Sequence, residues 1–466
     1  MNALPMKPLQ PGLVSIPGAT PESTAFVAEV LYEDFMAHHC FYNERNRANH
    51  LSHHILSLHD LGAPAEWIRT MYEKEAATQR PLHLNGTPAN EAKKIDETNW
   101  TSKLGKENAN IYPQYLSFFS TEIAKHGVSG ALEHYVFSSD ANANGTLMLA
   151  RFIAGVLHPL IETGFGIEFG QDFMVAQGLA QAALTAPLAA SVMDSSGVPE
   201  IHAGRSTTLL SLLDELYDSP EFSPMPNATE RSTTEGLEKW VAFNPDRIAA
   251  IRNIYAKWTF QLETEDFGKK VEECMWQATL LLGATGKVGR EPQMDFYLMH
   301  FLTGSLSLGV IVDAIRSPLH KAQLLQTYAR FAALFIILRG RPQIDPSLVM
   351  SYPVRPTPPR TPNSMSGTVG HGSPWLALLN NATMHTEPHV VKSIRALFYY
   401  AQKYGGTPAG GVIGALDGAG KETHQGTASL DGTLFVRVAG TMTNAVGWVT
   451  HGENERFWDF SGWEED

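Results

Sequence analysis

The chain has 466 residues, yet only two are cysteine. Cys40 and Cys274 cannot build a disulfide framework, so they fit a reducing compartment or at most one bridge. The common cofactor signatures are missing as well. There is no G-x-x-x-x-G-K-S/T phosphate loop, no G-x-S-x-G elbow and no C-x-x-C. The nearest thing to a dinucleotide fingerprint is Gly164-Phe165-Gly166-Ile167-Glu168-Phe169-Gly170. Its spacing is wrong, and it follows a helical pattern where the fingerprint must follow a strand. Gly410-Gly411-Val412-Ile413-Gly414 fails the same test, so a Rossmann-bound nicotinamide or flavin is not expected. Basic charge is scarce: 35 Lys and Arg stand against 48 Asp and Glu, a net charge of -13. Without a basic run the chain is a poor partner for nucleic acid or an anionic membrane, and the charge reads as solubility. No charged segment followed by an apolar run opens the sequence, so no secretory signal is expected. The longest apolar run, Phe296 to Val312, is interrupted by His300, Thr303 and Gly304 and reads as a buried helix. These absences predict a soluble cytoplasmic protein.

What is present is helix. Hydrophobic residues make up 43% and charged residues 18%, a globular composition. Thr20-Pro21 reads as a cap with proline at the first helical position, followed by a stripe of Phe26, Val27, Val30, Leu31 and Phe35. A second helix is predicted over about Asn49 to Leu61, stopping at Gly62, and a third from Pro64 to before Pro81. Further helices are predicted over about Leu147 to Glu162, Arg247 to Phe260, Phe296 to Ile315, Leu319 to Leu338 and Pro388 to Lys403. Two stretches read as loops: the polar segment Leu82 to Lys106, and residues 342–374 with eight prolines. Thr433 to Val449, rich in β-branched residues, is the strand candidate. The expected fold is mainly α: a single large helical body over 1–466, with 342–374 as a proline-rich strap and a small β element near the C-terminus.

The chemistry lies in 18 histidines. His50 and His54 are four apart and share a helix face, with His53 between them. His158 follows the small residues Ala154 and Gly155. Next to it, Pro159 interrupts a helical pattern and predicts a kink, at about 3 kcal/mol in an isolated helix. His134 likewise follows Gly130 and Ala131, and His300 sits inside an apolar run. His385 and His389 could ligate a metal only from one helix, and Pro388 places His385 outside it. H-E-x-x-H is absent.

Together these segments resemble one family, the questin-oxidase-like proteins, which include Baeyer–Villiger-type oxidases of aromatic polyketide pathways. The resemblance runs through Asn49-His50-Leu51-Ser52-His53-His54-Ile55, Glu133-His134-Tyr135-Val136-Phe137, Leu157-His158-Pro159-Leu160-Ile161 with Gly164-Phe165-Gly166-Ile167-Glu168-Phe169, Pro388-His389-Val390-Val391-Lys392 and Leu434-Phe435-Val436-Arg437-Val438-Ala439-Gly440. It covers about Thr24 to Gly447. Glu162 departs from it, since a second histidine would be expected there.

The resemblance implies oxidative ring opening of an anthraquinone to a benzophenone acid or its ester. The F-x-G-x-x-x-H-x-x-x-W motif of flavin Baeyer–Villiger enzymes is absent. The expectation is therefore a reaction with no bound cofactor: O2 is the co-substrate, the substrate is the hydroquinone form, and NADPH is consumed by a partner reductase. A histidine base would deprotonate a phenol, and the anion would reduce O2 to a carbon-bound peroxide. His158 and His54 are the expected base and proton donor, in either order, with His53, His134 and His300 as further candidates. Tyr135, Phe165, Trp100 and Glu168 are expected to line a flat slot for the ring system. Two alternatives stand beside this: a metal-dependent oxygenase using the same histidines, and a non-catalytic carrier of aromatic metabolites. A homodimer is the default expectation.

Overall fold

The computed structural model describes the chain except for residues 1–3, 84–93, 106–110, 194–206, 224–239, 242–243, 360–371 and 464–466. Much of Leu82 to Lys106 and the middle of 342–374 thus lie outside the described residues. Among the described residues the protein is mainly α, and no strand forms beyond isolated bridges such as Asp295 with Asp459. The chain divides into two compact units, residues 1–190 with 306–327 and residues 191–305 with 328–466.

The first unit holds helices α1 (Pro21–Ala37), α2 (Leu51–Asp60), α3 (Ala65–Ala76), α4 (Ile111–Leu132), α5 (Met148–Ile153), α6 (His158–Glu168) and α7 (Asp172–Leu184). Thr20 and Ser23 close a capping box around Pro21 at the start of α1, as the sequence predicts. Leu51, Ile55 and Leu58 form the apolar stripe of α2, but burial does not stop there. Every residue of this ten-residue helix is buried, including Ser52, His53, His54, Ser57, His59 and Asp60. Burying polar side chains is costly unless they find partners. Asp60 finds two, the backbone N–H groups of Val14 and Ser15 at 3.2 and 2.9 Å. A helix this polar and this buried points to a site rather than to plain core.

The stretch predicted as one kinked helix, Leu147 to Glu162, is instead two helices. The chain leaves α5 at Ala154 and restarts at His158 after Leu157 in left-handed conformation. Pro159 therefore sits in the first turn of α6, where its missing N–H has no intrahelical partner to lose, and the expected kink does not arise. α6 and α7 then approach closely. A Cβ on Gly178 would lie 2.2 Å from Thr163 Oγ1 and 2.8 Å from the Pro159 carbonyl.

The second unit holds α8 (Leu209–Asp218), α9 (Pro245–Tyr255), α10 (Phe267–Gly283), α13 (Pro374–Met384), α14 (Pro388–Tyr404) and α15 (Leu434–Val446). Helices α11 (Phe296–Ala314) and α12 (Pro318–Leu338) have residues in both units. By length and composition α11 could cross a bilayer, but 72% of its most apolar window is buried inside the protein. The strand expected over Thr433 to Val449 is helix α15. Leu434, Val438, Met442 and Val446 recur every four residues and are fully buried. Val438 meets α10 so closely that a Cβ on Gly283 would lie 2.3 Å from it. The helical stripe and this close contact outweigh the β preference of the valines.

Candidate active site

His158 is presented by an unusual turn. Gly155, Val156 and Leu157 all have positive φ, at 60°, 54° and 66°. Glycine tolerates this region, but for a β-branched valine it is a true outlier, with a cost of about 1–3 kcal/mol. The turn aims the Gly155 carbonyl at His158 Nδ1, 2.6 Å away. A carbonyl oxygen only accepts, so Nδ1 carries the proton and donates it, leaving Nε2 as the acceptor. His50, at the N-terminal boundary of α2, is fixed the same way: its Nδ1 donates to the Ala48 carbonyl at 2.7 Å. The two Nε2 atoms stand 2.9 Å apart. Two lone pairs facing each other at that distance repel, so the pair is set up to take up one proton or one cation between them.

Beside this pair lies His53. Its ring is 6.0 Å from His50, 6.5 Å from His158 and stacked on Phe165 at 5.2 Å. Its Nε2 is 2.6 Å from Glu162 Oε2, which also accepts from Ser52 Oγ at 2.8 Å. Both the histidine and the carboxylate are buried. Glu162 and Ser52 also line a polar cavity with Asp34, Asn49, Tyr112 and Gln177.

The second unit contains another histidine pair, built on the same plan. His300 Nδ1 donates to the Phe296 carbonyl at 2.7 Å. His389 Nδ1 donates to Glu387 Oε1 at 2.5 Å. The two rings lie 4.8 Å apart, and Phe296 packs against both. Burial would raise the Glu387 carboxyl, but His389 and the Trp458 N–H beside it bring it down to about 2.

Among the expected site residues of the first unit, His53, His158 and Phe165 come together. His54 is buried, but its Nδ1 pairs with Glu75 of α3. His134 is exposed, on a short π-helical segment. Tyr135 donates to Glu122 at 2.6 Å and meets Trp100 edge-on in an aromatic cluster with Phe118 and Phe119. Burial and Glu122 push the Tyr135 phenol far up, so it stays protonated. Glu168 accepts from the Leu13 N–H at 2.7 Å. His300 belongs to the second unit's pair.

Sequence reasoning missed the roles of His50, Glu162 and Glu387. Helical periodicity pairs His50 with His54, but His50 is the cap residue and its ring turns to His158 instead. His385 lies outside α14, as Pro388 predicts, and its Nδ1 accepts from the Glu387 N–H at 3.2 Å. In His50, His158, His300 and His389 the Nδ1 atom donates, so Nε2 is the acceptor nitrogen of the neutral ring, the form that suits a general base or a metal ligand.

The family model for questin oxidase-like proteins matches residues 48–397, a span that takes in all these histidines. The chain is 27% identical to the questin oxidase of Aspergillus terreus over 376 residues, covering 77% of this chain and 76% of that protein. It is 28% identical to the Baeyer–Villiger oxidase mdpL of Emericella nidulans over 377 residues, 77% of each. To the Baeyer–Villiger monooxygenase dmxR6 of a Cryptosporiopsis species it is 24% identical over 410 residues, 85% of each.

Proposed function

The chain belongs to the questin oxidase-like family, and from that premise we propose that it is a Baeyer–Villiger-type oxidase that opens the central ring of an anthraquinone. The names of the relatives support the reaction class. The observation that carries a mechanism is the His50–His158 pair, with both Nδ1 atoms held by carbonyls and the Nε2 atoms 2.9 Å apart.

Such a pair is built to take and hold one proton, because the proton relieves the repulsion between two facing lone pairs. It accepts the phenolic proton of a reduced anthraquinone, and the resulting anion is electron-rich enough to reduce O2. One electron passes to O2, the two radicals combine, and a carbon-bound peroxide forms. Attack of the peroxide on the carbonyl carbon, with migration of a ring carbon to oxygen, breaks the O–O bond and yields a lactone. The histidine pair returns its proton to the departing oxygen. Hydroquinone plus O2 has the composition of the ring-opened keto acid, once one water has left and one has opened the lactone. Ring opening therefore needs no further reductant, and NADPH serves a separate reductase that supplies the hydroquinone. His53, held by Glu162 and stacked on Phe165, lies beside this pair and can pass protons onward.

The same geometry favours a second reading. Two bonds of about 2.1 Å at a right angle put two nitrogens about 3 Å apart, so His50 and His158 also fit as neighbouring ligands of one divalent metal ion. The metal would then supply the activation of O2.

The deciding experiment mixes EDTA-treated protein with a chemically reduced anthraquinone under air and follows products by mass spectrometry. Ring-opened acid carrying oxygen from 18O2, absent without protein, is the expected result. Activity only after iron, manganese or copper is restored selects the metal reading. No product under any addition, with the quinone bound and returned unchanged, overturns both and leaves a carrier.

A further inference from the structure

The segment 453–463 lies beyond the part of the chain that the family model matches, 48–397. It is nevertheless stitched to the second histidine pair at both ends of that pair. Asp459 accepts from the Phe296 N–H at 2.8 Å and donates to the Met294 carbonyl at 2.8 Å, which pins the first turn of α11. His300 sits one turn further on, with its Nδ1 bonded to that same Phe296. Phe460 stacks on the Phe296 ring at 4.4 Å. One residue before Asp459, the buried Trp458 donates its Nε1–H to Glu387 Oε2 at 2.7 Å. The other oxygen, Glu387 Oε1, receives the His389 Nδ1–H. Glu387 also caps α14 by accepting from the Val390 N–H at 3.1 Å. Its carboxylate is thus shared between a helix end, a histidine and the C-terminal segment.

We propose that Trp458 is a positioning residue for His389: through Glu387 it fixes the direction in which the His389 Nε2 points, so the C-terminal segment forms part of the working site. Its role in turnover rests on the oxidase reading above, extended here to the second histidine pair as a further acid–base group for that reaction. An outer hydrogen bond that sets the ring of a working histidine typically changes activity 10–100-fold when lost, although it touches no substrate. Exposure supports the assignment. Phe457 is 93% exposed while Trp458 is buried, so the segment turns one aromatic inward and leaves its neighbour in solvent.

Trp458→Phe tests this, because it keeps the packed ring and removes only the N–H. Expected are a fall in kcat of about 10–100-fold, KM within about threefold of the parent, and an unchanged circular dichroism melt. A second readout does not depend on turnover. The His389 Nδ1–H bonded to a carboxylate gives a low-field proton resonance, identified by its loss in His389→Gln. That signal should shift or broaden in Trp458→Phe and in Glu387→Gln. An unmoved resonance in Trp458→Phe overturns the positioning role, whatever the rate. If the parent protein turns over no anthraquinone, the oxidase reading fails and the resonance alone decides the role of Trp458.

Discussion

His50 and His158 are 108 residues apart in sequence, and their Nε2 atoms are 2.9 Å apart in space. Neither ring can rotate to escape the other, because each Nδ1 is committed to a backbone carbonyl. The two residues therefore act as one group, and groups that act as a unit are strongly non-additive. His50→Ala and His158→Ala should each lower kcat by about 10²–10⁴-fold. The double variant should fall no further than the worse single. Single-turnover kinetics with a reduced anthraquinone would measure this; fully additive losses would show that the two histidines serve separate steps. His54 offers the internal contrast. Its Nδ1 faces Glu75, so His54→Gln is expected to change the melting temperature more than kcat.

The turn at 155–157 stores strain to hold this arrangement. Val156 has φ of 54° and is half-exposed, so its side chain contributes little that the fold needs. Glycine at 156 would remove the strain, about 1–3 kcal/mol, against an unfolded-state entropy cost of about 0.5–1 kcal/mol. Val156→Gly should thus raise stability by about 1 kcal/mol. The loosened turn should let the Gly155 carbonyl wander from His158, so kcat should fall while the melting temperature rises. Paired thermal melts and rate measurements check the opposition. A more stable variant with undiminished kcat would mean that the strain does not serve catalysis.

How far these features were legible in the sequence depends on whether they rest on local or long-range causes. Thr20-Pro21 and Pro388 announce their helices, because capping and proline chemistry are local. The amphipathic stripes locate α2 and α14, and the long apolar run locates α11, for the same reason. Helix α15 carries two competing signals: its valines favour a strand locally, while the four-residue stripe of Leu434, Val438, Met442 and Val446 favours a helix, and the packing against α10 and α14 decides for the helix. Pro159 was misplaced because three successive residues of positive φ, two of them not glycine, leave no signal in the sequence. The site was half visible. His53, His158 and His300 stand out by their settings, but the pairing of His158 with His50 crosses 108 residues, and spacing cannot reveal it. The resemblance to a family names the segments that carry these histidines without assigning partners within them.

Glu162 is the position where the family resemblance leads one to expect histidine, and its contacts explain what the carboxylate does here. It lies 2.6 Å from His53 Nε2, accepts from Ser52 Oγ, and borders the polar cavity with Asp34, Asn49 and Gln177. A histidine there could accept from only one of these partners at a time, since a neutral imidazole has one acceptor nitrogen. The carboxylate accepts from Ser52 Oγ and sets its negative charge 2.6 Å from His53 Nε2. Glu162→Gln keeps the shape and one acceptor oxygen but loses the charge, so kcat should fall about 10–100-fold with KM little changed. Glu162→Asp retains the charge at a longer reach and should recover part of the loss. Glu162→His should do no better than glutamine, because it restores neither the charge nor the second acceptor. A Glu162→His variant as fast as the parent would show that this position needs only a nitrogen lone pair, and that the carboxylate is a neutral replacement rather than the support of His53.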